Sequence, residues 1–128
     1  MIQKPVKFPD LMASLITKIQ PILTVEMAGA KVGISTPKTP NKFVLLRRDG
    51  GQLVNQITES VIISATIYAN TYETAEDLTR AVEFAFRKIA DGSPVTYTDL
   101  LTSSQDISDE TGQRRFLRFE AQHRGVTH

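Results

Sequence analysis

The chain has no cysteine and no tryptophan, and only two of its 128 residues are histidines. The missing cysteines exclude a disulfide framework, a Cys-ligated zinc or iron–sulfur site and a thiol nucleophile. Both histidines, His123 and His128, lie within the last six residues, at a spacing that fits no zinc site. No G-x-S-x-G segment accompanies them, so we expect no catalytic triad and place His123 at the end of an edge strand.

Glycine-rich and acidic ligand motifs are also missing. Gly29 and Gly33 lie near one another, but neither G-x-G-x-x-G nor G-x-x-x-x-G-K-[ST] occurs, so no phosphate loop is predicted. The acidic stretch at residues 106–110 lacks the glycine and the distal glutamate of an EF-hand loop. We therefore expect a protein that is not an enzyme and that holds no cofactor or metal ion.

The chain has neither a large excess of one charge nor a long apolar segment. Fifteen Lys and Arg face 14 Asp and Glu, a net charge of +1, which disfavours a general nucleic-acid binder. The apolar stretches are only a few residues long, far short of the roughly 20 that cross a bilayer, and the first residues lack the apolar core of a signal peptide. We expect a soluble, intracellular chain without a membrane partner, folded as one domain over residues 1–128.

A first helix is predicted to begin near Pro9, which suits the first turn because the N–H that it lacks has no partner there. Asp10 complements the positive end of its dipole. Because the residue before a proline avoids the helical conformation, Pro21 is expected to end it. Val25 and Met27 then alternate with polar neighbours, which predicts a strand. The apolar positions of the helix recur three or four residues apart and are Leu11, Leu15, Ile16 and Ile19.

A second helix is predicted over residues 74–91. Thr74, with Asp77 three residues later, resembles a capping box, and Gly92 suits the position after a helix end. Acids crowd its N-terminal half and bases its C-terminal half, which complements the helix dipole. One apolar stripe runs along it and comprises Ala75, Leu78, Val82, Ala85, Phe86 and Ile89.

The remaining segments read as a sheet. Residues 42–48 and the residues from 53 onward flank the turn-forming sequence Asp49-Gly50-Gly51, which predicts a β-hairpin. Residues 61–69 place apolar side chains at every odd position, as a central strand does. A short strand near Tyr97 and a last strand over residues 113–124 complete the set. We predict an α+β fold: a mostly antiparallel four- to five-stranded sheet, two main helices packed on one face, and a protruding hairpin.

With this element order the chain resembles the tail terminator family of long-tailed bacteriophages, also called tail-completion or minor tail proteins. Four features match. The first is the opening helix, Phe8-Pro9-Asp10-Leu11 to Ile19, and the second is the strand over residues 61–69 followed by the helix that starts Thr74-Ala75-Glu76-Asp77-Leu78. The third is the segment Gly92-Ser93-Pro94 after that helix, and the fourth is the closing strand over residues 113–121, which is followed by His123-Arg124-Gly125.

The resemblance implies a structural virion protein of the tail and neck, assembled in the host cytoplasm. Such proteins form a homo-oligomeric ring, a hexamer, at the head-proximal end of the tail tube and stop its polymerisation. One side of the ring meets the tail tube protein and the other meets the head-completion or connector protein. DNA passes through the centre, where non-specific contact with the lumen is expected. No chemistry is required of such a ring.

Basic pairs and one loop are the candidate contacts within a ring. Repeated around a ring, arginines form a girdle of positive charge that can meet phosphates, although no interleaved aromatic residues are expected beside them. The candidate lumen or axial contacts are Arg47, Arg48, Arg114 and Arg115. The candidate subunit-interface positions, in the loop over residues 35–42 and the hairpin over residues 43–55, are Pro37, Lys38, Pro40, Lys42, Asp49 and Gly50.

Three alternatives remain open at this point. A head-completion or stopper ring, or another small neck protein, would have the same composition as a terminator. A small ligand-binding or enzymatic α+β domain would show a deep pocket with convergent polar groups. A nucleic-acid-binding module would bind short DNA with a steep salt dependence, which the near-neutral charge disfavours.

Overall fold

A computed structural model describes residues 6–8, 10–38, 41–92 and 94–127. These residues form two helices and seven strands. In chain order they are β1 (Val6–Lys7), α1 (Leu11–Glu26), β2 (Lys31–Gly33), β3 (Phe43–Leu53), β4 (Thr58–Ala69), α2 (Tyr72–Lys88), β5 (Val95–Asp106), β6 (Gln113–Arg124) and β7 (Val126–Thr127).

Five strands form one mixed sheet in the order β2-β3-β4-β6-β5. Every neighbouring pair is antiparallel except β2 and β3, which run parallel. Strands β1 and β7 pair separately as a two-stranded antiparallel ribbon. The architecture is the predicted α+β fold, mostly antiparallel, with its helices on one side.

Both helices pack on the same face of this sheet. The odd positions of β4, from Val61 to Ala69, are at most 1% exposed and join α1 and α2 in one apolar core. The predicted stripe of α2 is buried throughout, and its Phe86 ring stacks on Phe119 of β6 with the centroids 4.0 Å apart. Alternation in β4 and β6 and periodicity in α2 therefore predicted the core correctly.

The first helix does not end at Pro21. Helix α1 continues to Glu26, with Pro21 inside it, so no strand forms at residues 25–27. The physical reason is burial: Leu23 extends the apolar stripe by four residues and is fully buried. Burying a leucine contributes about 2 kcal/mol, which offsets much of the cost of a proline in a helix.

Replacing Pro21 by alanine is expected to raise the free energy of unfolding by about 1 kcal/mol. The side chain is exposed, so the change removes no core contact, and alanine restores the backbone N–H that proline lacks. Urea unfolding followed by circular dichroism measures the gain. The matched control is Pro37→Ala, in an exposed loop, for which we expect no gain. A loss of stability in Pro21→Ala would show that packing requires the proline geometry.

The hairpin turn is also displaced from its predicted position. Asp49, Gly50 and Gly51 lie inside β3, where a β-bulge shifts the register between Arg48 and Gly50. The chain reverses instead at residues 54–57, where the Asn55 side-chain oxygen accepts a hydrogen bond from the Ile57 amide at 2.9 Å. Gly50 lies at this bulge with a φ of 145°, a backbone conformation that favours glycine.

Gly51 faces a different constraint, since a Cβ there would lie 2.6 Å from the Ser60 carbonyl oxygen. At that distance the two strands could not keep their spacing, so only glycine fits. The consequence is a hairpin longer than predicted, whose tip carries exposed Leu53, Val54 and Ile57.

Two other boundaries differ from prediction. Helix α2 begins earlier, because Thr71 rather than Thr74 is its N-cap and accepts a hydrogen bond from the Thr74 amide at 3.1 Å. Strand β5 is 12 residues long, from Val95 to Asp106, where only a short strand near Tyr97 was predicted. Its pairing with β6 is interrupted by three register shifts, which explains why its sequence shows no clean alternation.

Candidate functional site

One face of the five-stranded sheet carries no helix. The even positions of β4 and β6, with Phe43, Leu45 and Arg47 of β3, point away from the core that α1 and α2 share. We call this side of the sheet the open face. Its side chains lie in rows that cross neighbouring strands, because paired residues stand directly opposite one another.

The middle row of the open face is basic. Arg47, Ser64 and Arg118 are register partners across β3, β4 and β6. Arg47 is exposed, and Arg118 is paired with Asp49 through an Nη2–Oδ2 distance of 3.3 Å. Two guanidinium groups thus lie two strands apart on one uncovered surface, where they can attract an anionic partner.

An aromatic row and an apolar row lie beside the arginines. Phe43, Tyr68 and Arg114 are register partners, and the Arg114 guanidinium lies over the Tyr68 ring, 4.4 Å from its centroid. Such stacking orients the cation and leaves part of it available to a ligand. Leu45 and Phe116 fill the row between. The expectation that no aromatic residues accompany the arginines was therefore wrong: Arg114 lies over Tyr68 of the neighbouring strand, and Arg118 lies 5.7 Å from the ring centroid of Phe116 on its own strand.

The other end of the open face is polar and mildly acidic. Ser60 donates a hydrogen bond to the Glu120 Oε2 atom at 2.5 Å. These two residues, with Gly51, Gln52, Ile62 and Leu101, line a shallow depression of about 360 Å³. A single carboxylate held by a serine, with no second acid or base in the lining, gives no acid–base pair for catalysis.

The two predicted arginine pairs are split by strand alternation. Arg47 and Arg114 lie on the open face, whereas Arg48 and Arg115 lie on the helix side. Arg48 contacts Glu59, with 3.1 Å between Nη2 and Oε2. Only the first member of each pair is therefore placed to contact something outside the subunit through the open face.

Arg115 is buried within the subunit. Its side chain is 3% exposed, and Nη1 lies 3.2 Å from Asp106 Oδ1 while Nη2 lies 3.6 Å from Glu76 Oε1. The guanidinium also lies over the Tyr72 ring at 5.2 Å. These contacts tie β6 to β5 and to α2, so Arg115 holds elements together and does not line a free surface.

The interface positions predicted in the loop differ in exposure, and Lys42 is half-buried. Pro37 and Lys38 are exposed, and Pro40 lies outside the described residues. Lys42 has a positive φ of 52° and its carbonyl accepts a hydrogen bond from the Lys31 amide at 2.9 Å. Asp49 and Gly50 belong to β3, as described above.

The sequence-based placement of His123 was wrong. Strand β6 lies between β4 and β5, not at an edge, and His123 is fully buried. Its Nε2 atom lies 2.8 Å from Glu59 Oε1, the Phe8 ring is 5.3 Å away, and Nδ1 has no hydrogen-bond partner among the described residues. Glu59 is 64 positions from His123, so no local pattern could have indicated the pair.

The pair perturbs Glu59. Burial raises the pKa of this carboxyl, but the hydrogen bond from His123 and the charge and hydrogen bond of Arg48 together hold the pKa below its usual range. Glu59 therefore loses its proton more readily in the folded protein than in the unfolded chain. Through Glu59 of β4, these contacts join His123 of β6 and Arg48 of β3.

Searches of known proteins add no family to these observations: no protein-family model matches the chain, and no curated protein matches it significantly. In the described part of the chain, no helix combines the length and apolar character needed to cross a bilayer. Within the same residues, no cluster of three or more metal-ligating side chains occurs. The surface geometry is thus the basis for a functional proposal.

Proposed function

We propose that this chain is a structural subunit that assembles into a ring and acts as a tail terminator of a long-tailed bacteriophage. One observation carries the proposal: a sheet with both helices on one face and an open face with Arg47 and Arg118 in a single row. The resemblance of the element order to tail terminators supports the same role.

The two faces of the sheet favour one orientation in a ring. A helix is about 10 Å across, so the layer formed by α1 and α2 needs a longer circumference than the sheet. Subunits arranged side by side would therefore carry their helices on the outside. The open face then lines the channel, with Arg47, Arg114 and Arg118 repeated once per subunit.

A channel of this kind suits the passage of DNA. The arginines contribute positive charge at regular intervals, which attracts phosphates without reading sequence. Arg118 is partly neutralised by Asp49, and Glu120 lies two positions further along β6. A moderate positive potential of this type attracts DNA weakly, as a channel through which DNA must move requires.

The proposal is tested by mixing the chain with purified tail tube protein of a long-tailed bacteriophage under conditions in which the tube protein polymerises. We expect substoichiometric amounts to bind tube ends and to shorten the tubes seen in negative-stain images. Bovine serum albumin at equal mass serves as the control for crowding. Tubes that grow to their usual length, with none of this chain sedimenting with them, would reject the terminator role.

The orientation of the open face gives a separate prediction. In the assembled ring, Arg114→Glu combined with Arg118→Glu, two open-face positions of β6 away from either sheet edge, is expected to weaken binding of short duplex DNA about tenfold at low salt. Arg80→Glu combined with Arg87→Glu makes the same charge change on exposed positions of α2 and is expected to have a much smaller effect. Fluorescence anisotropy at several salt concentrations measures both. Equal effects of the two pairs would contradict an inward-facing open face.

A further inference from the structure

We infer that the subunits join head to tail through two strand edges of opposite charge, with β3 of one copy added to β5 of the next. The inference rests on the proposed ring and names the contact that builds it. The occupant of each edge is thus a second copy of this chain.

Both edges are unpaired along most of their length in the described structure. Strand β5 pairs only with β6, and β3 pairs with β2 only as far as Leu45, so residues 46–53 have β4 as their single neighbour. This free stretch spans about 27 Å. Unpaired strand edges of that length invite another strand to add.

The two edges carry opposite charge. In the free stretch of β3, residues 46–53, the charged residues are Arg47, Arg48 and Asp49, and Asp49 is paired with Arg118. Strand β5 contains Asp99 and Asp106 and no base. Arg48 and Asp106 are paired within the subunit, with Glu59 and Arg115, so the charge opposition rests on Arg47 of β3 and Asp99 of β5.

Charge also argues against joining like edges. Two β5 edges would bring aspartates together, and two β3 edges would bring arginines together, and like charges opposite one another destabilise a strand pair. Arg47 and Asp99 both belong to the open face of their strands, as their register partners Ser64 and Glu120 show. In a β3–β5 contact they lie on the same side and can form an ion pair.

Strand direction supports the same contact. Strands β3 and β6 run one way, and β4 and β5 run the other, because each consecutive pair is antiparallel. Copies related by rotation about an axis along the strands keep these directions. The β3 strand of the next copy therefore meets β5 in antiparallel orientation, which is the more stable pairing.

Exposed apolar side chains lie on both edges. Leu53 of β3 is 62% exposed, and Tyr97 and Leu101 of β5 are 45% and 47% exposed. Their burial against a neighbour would add an apolar contribution to the backbone hydrogen bonds. A head-to-tail contact uses different surfaces on each copy, so it continues from subunit to subunit and yields a ring where the rotation closes.

Two edge-blocked variants test the inference. Asp99→Lys with Leu101→Lys blocks β5, and Arg47→Glu with Leu53→Glu blocks β3; all four positions are exposed. Sedimentation velocity should show wild-type oligomers, a monomer for each variant alone, and oligomers that contain both chains, dimers or larger, when the variants are mixed in equal amounts. In the mixture the unchanged β3 of one chain meets the unchanged β5 of the other, and the two altered edges carry exchanged, complementary charges. Glu73→Lys with Val25→Lys, on exposed helix positions, is the control and should assemble like wild type.

Three outcomes would overturn the inference. The first is dimerisation of either variant by itself, which would show pairing of like edges. The second is assembly of both variants like wild type. The third is a wild-type chain that remains monomeric at about 1 mM, a weak-affinity limit. Mixed oligomers from a chain that fails to cap tail tubes would leave the edge contact intact and reject only the terminator role.

Discussion

Replacing Phe86 by alanine is expected to lower the free energy of unfolding by about 3 to 5 kcal/mol. The ring is 1% exposed and stacks on Phe119 at a centroid distance of 4.0 Å with an interplanar angle of 4°. Removing it leaves a cavity between α2 and β6 and also removes an aromatic contact. Urea unfolding monitored by circular dichroism measures the loss.

The same helix provides the control for this prediction. Phe84 lies two positions earlier, is 38% exposed and has the Lys88 ammonium 5.6 Å from its ring centroid. Phe84→Ala makes the same chemical change without opening a core cavity, so we expect a loss below about 1 kcal/mol. Similar losses for the two variants would contradict the packing of α2 described above.

Patterns of period two and of period 3.6 predicted most of this fold. The alternation in residues 61–69 and 117–121 and the stripe of α2 each identify one buried face correctly. Local turn and helix-end signals were less reliable. Pro21 does not end α1, because the helix continues past it and buries Leu23. Gly50 and Gly51 lie at a β-bulge and not in the predicted turn. The end of α1 and the position of the hairpin turn depend on tertiary packing, which the residues next to Pro21 and Gly50 do not reveal.

Only part of the open face could be predicted from the sequence. Strand parity separates Arg114 from Arg115, since Arg115 shares the side of Leu117, so alternation alone could have excluded Arg115 and added Arg118. The row formed by Arg47 and Arg118 could not be predicted, because it depends on the pairing of β3 and β6 with β4. Register between distant strands, and with it the composition of the open face, requires the structure.

Ion pairs on both faces of the sheet hold the part of β3 that extends beyond β2. Arg118 reaches from β6 across β4 to Asp49 in the bulge of β3, while Arg48 contacts Glu59 on the other side of the sheet. The part of β3 that extends beyond β2 is therefore held from both faces. A strand edge fixed in this way loses less conformational entropy when a neighbour adds to it.

Replacing Glu59 by alanine is expected to lower the free energy of unfolding by about 2 to 3 kcal/mol at pH 7. His123 is fully buried and its Nε2 atom bonds only to Glu59 among the described residues. The substitution leaves that buried nitrogen without a partner and removes the contact of Arg48. Glu110→Ala, at an exposed position, is the control and should change stability by less than about 0.5 kcal/mol.

A glutamine at the same position separates charge from hydrogen bonding. Glu59→Gln keeps an acceptor for His123 but cannot ionise. Because the pKa of Glu59 is lowered in the folded state from 4.5, the unfolded chain binds its proton more readily, and the carboxylate contributes stability above pH 4.5 that is lost as pH falls through the folded pKa. Wild type should thus lose more stability than Glu59→Gln between pH 6 and pH 3, measured by urea unfolding. Parallel stability curves would show that the carboxylate charge of Glu59 does not stabilise the fold.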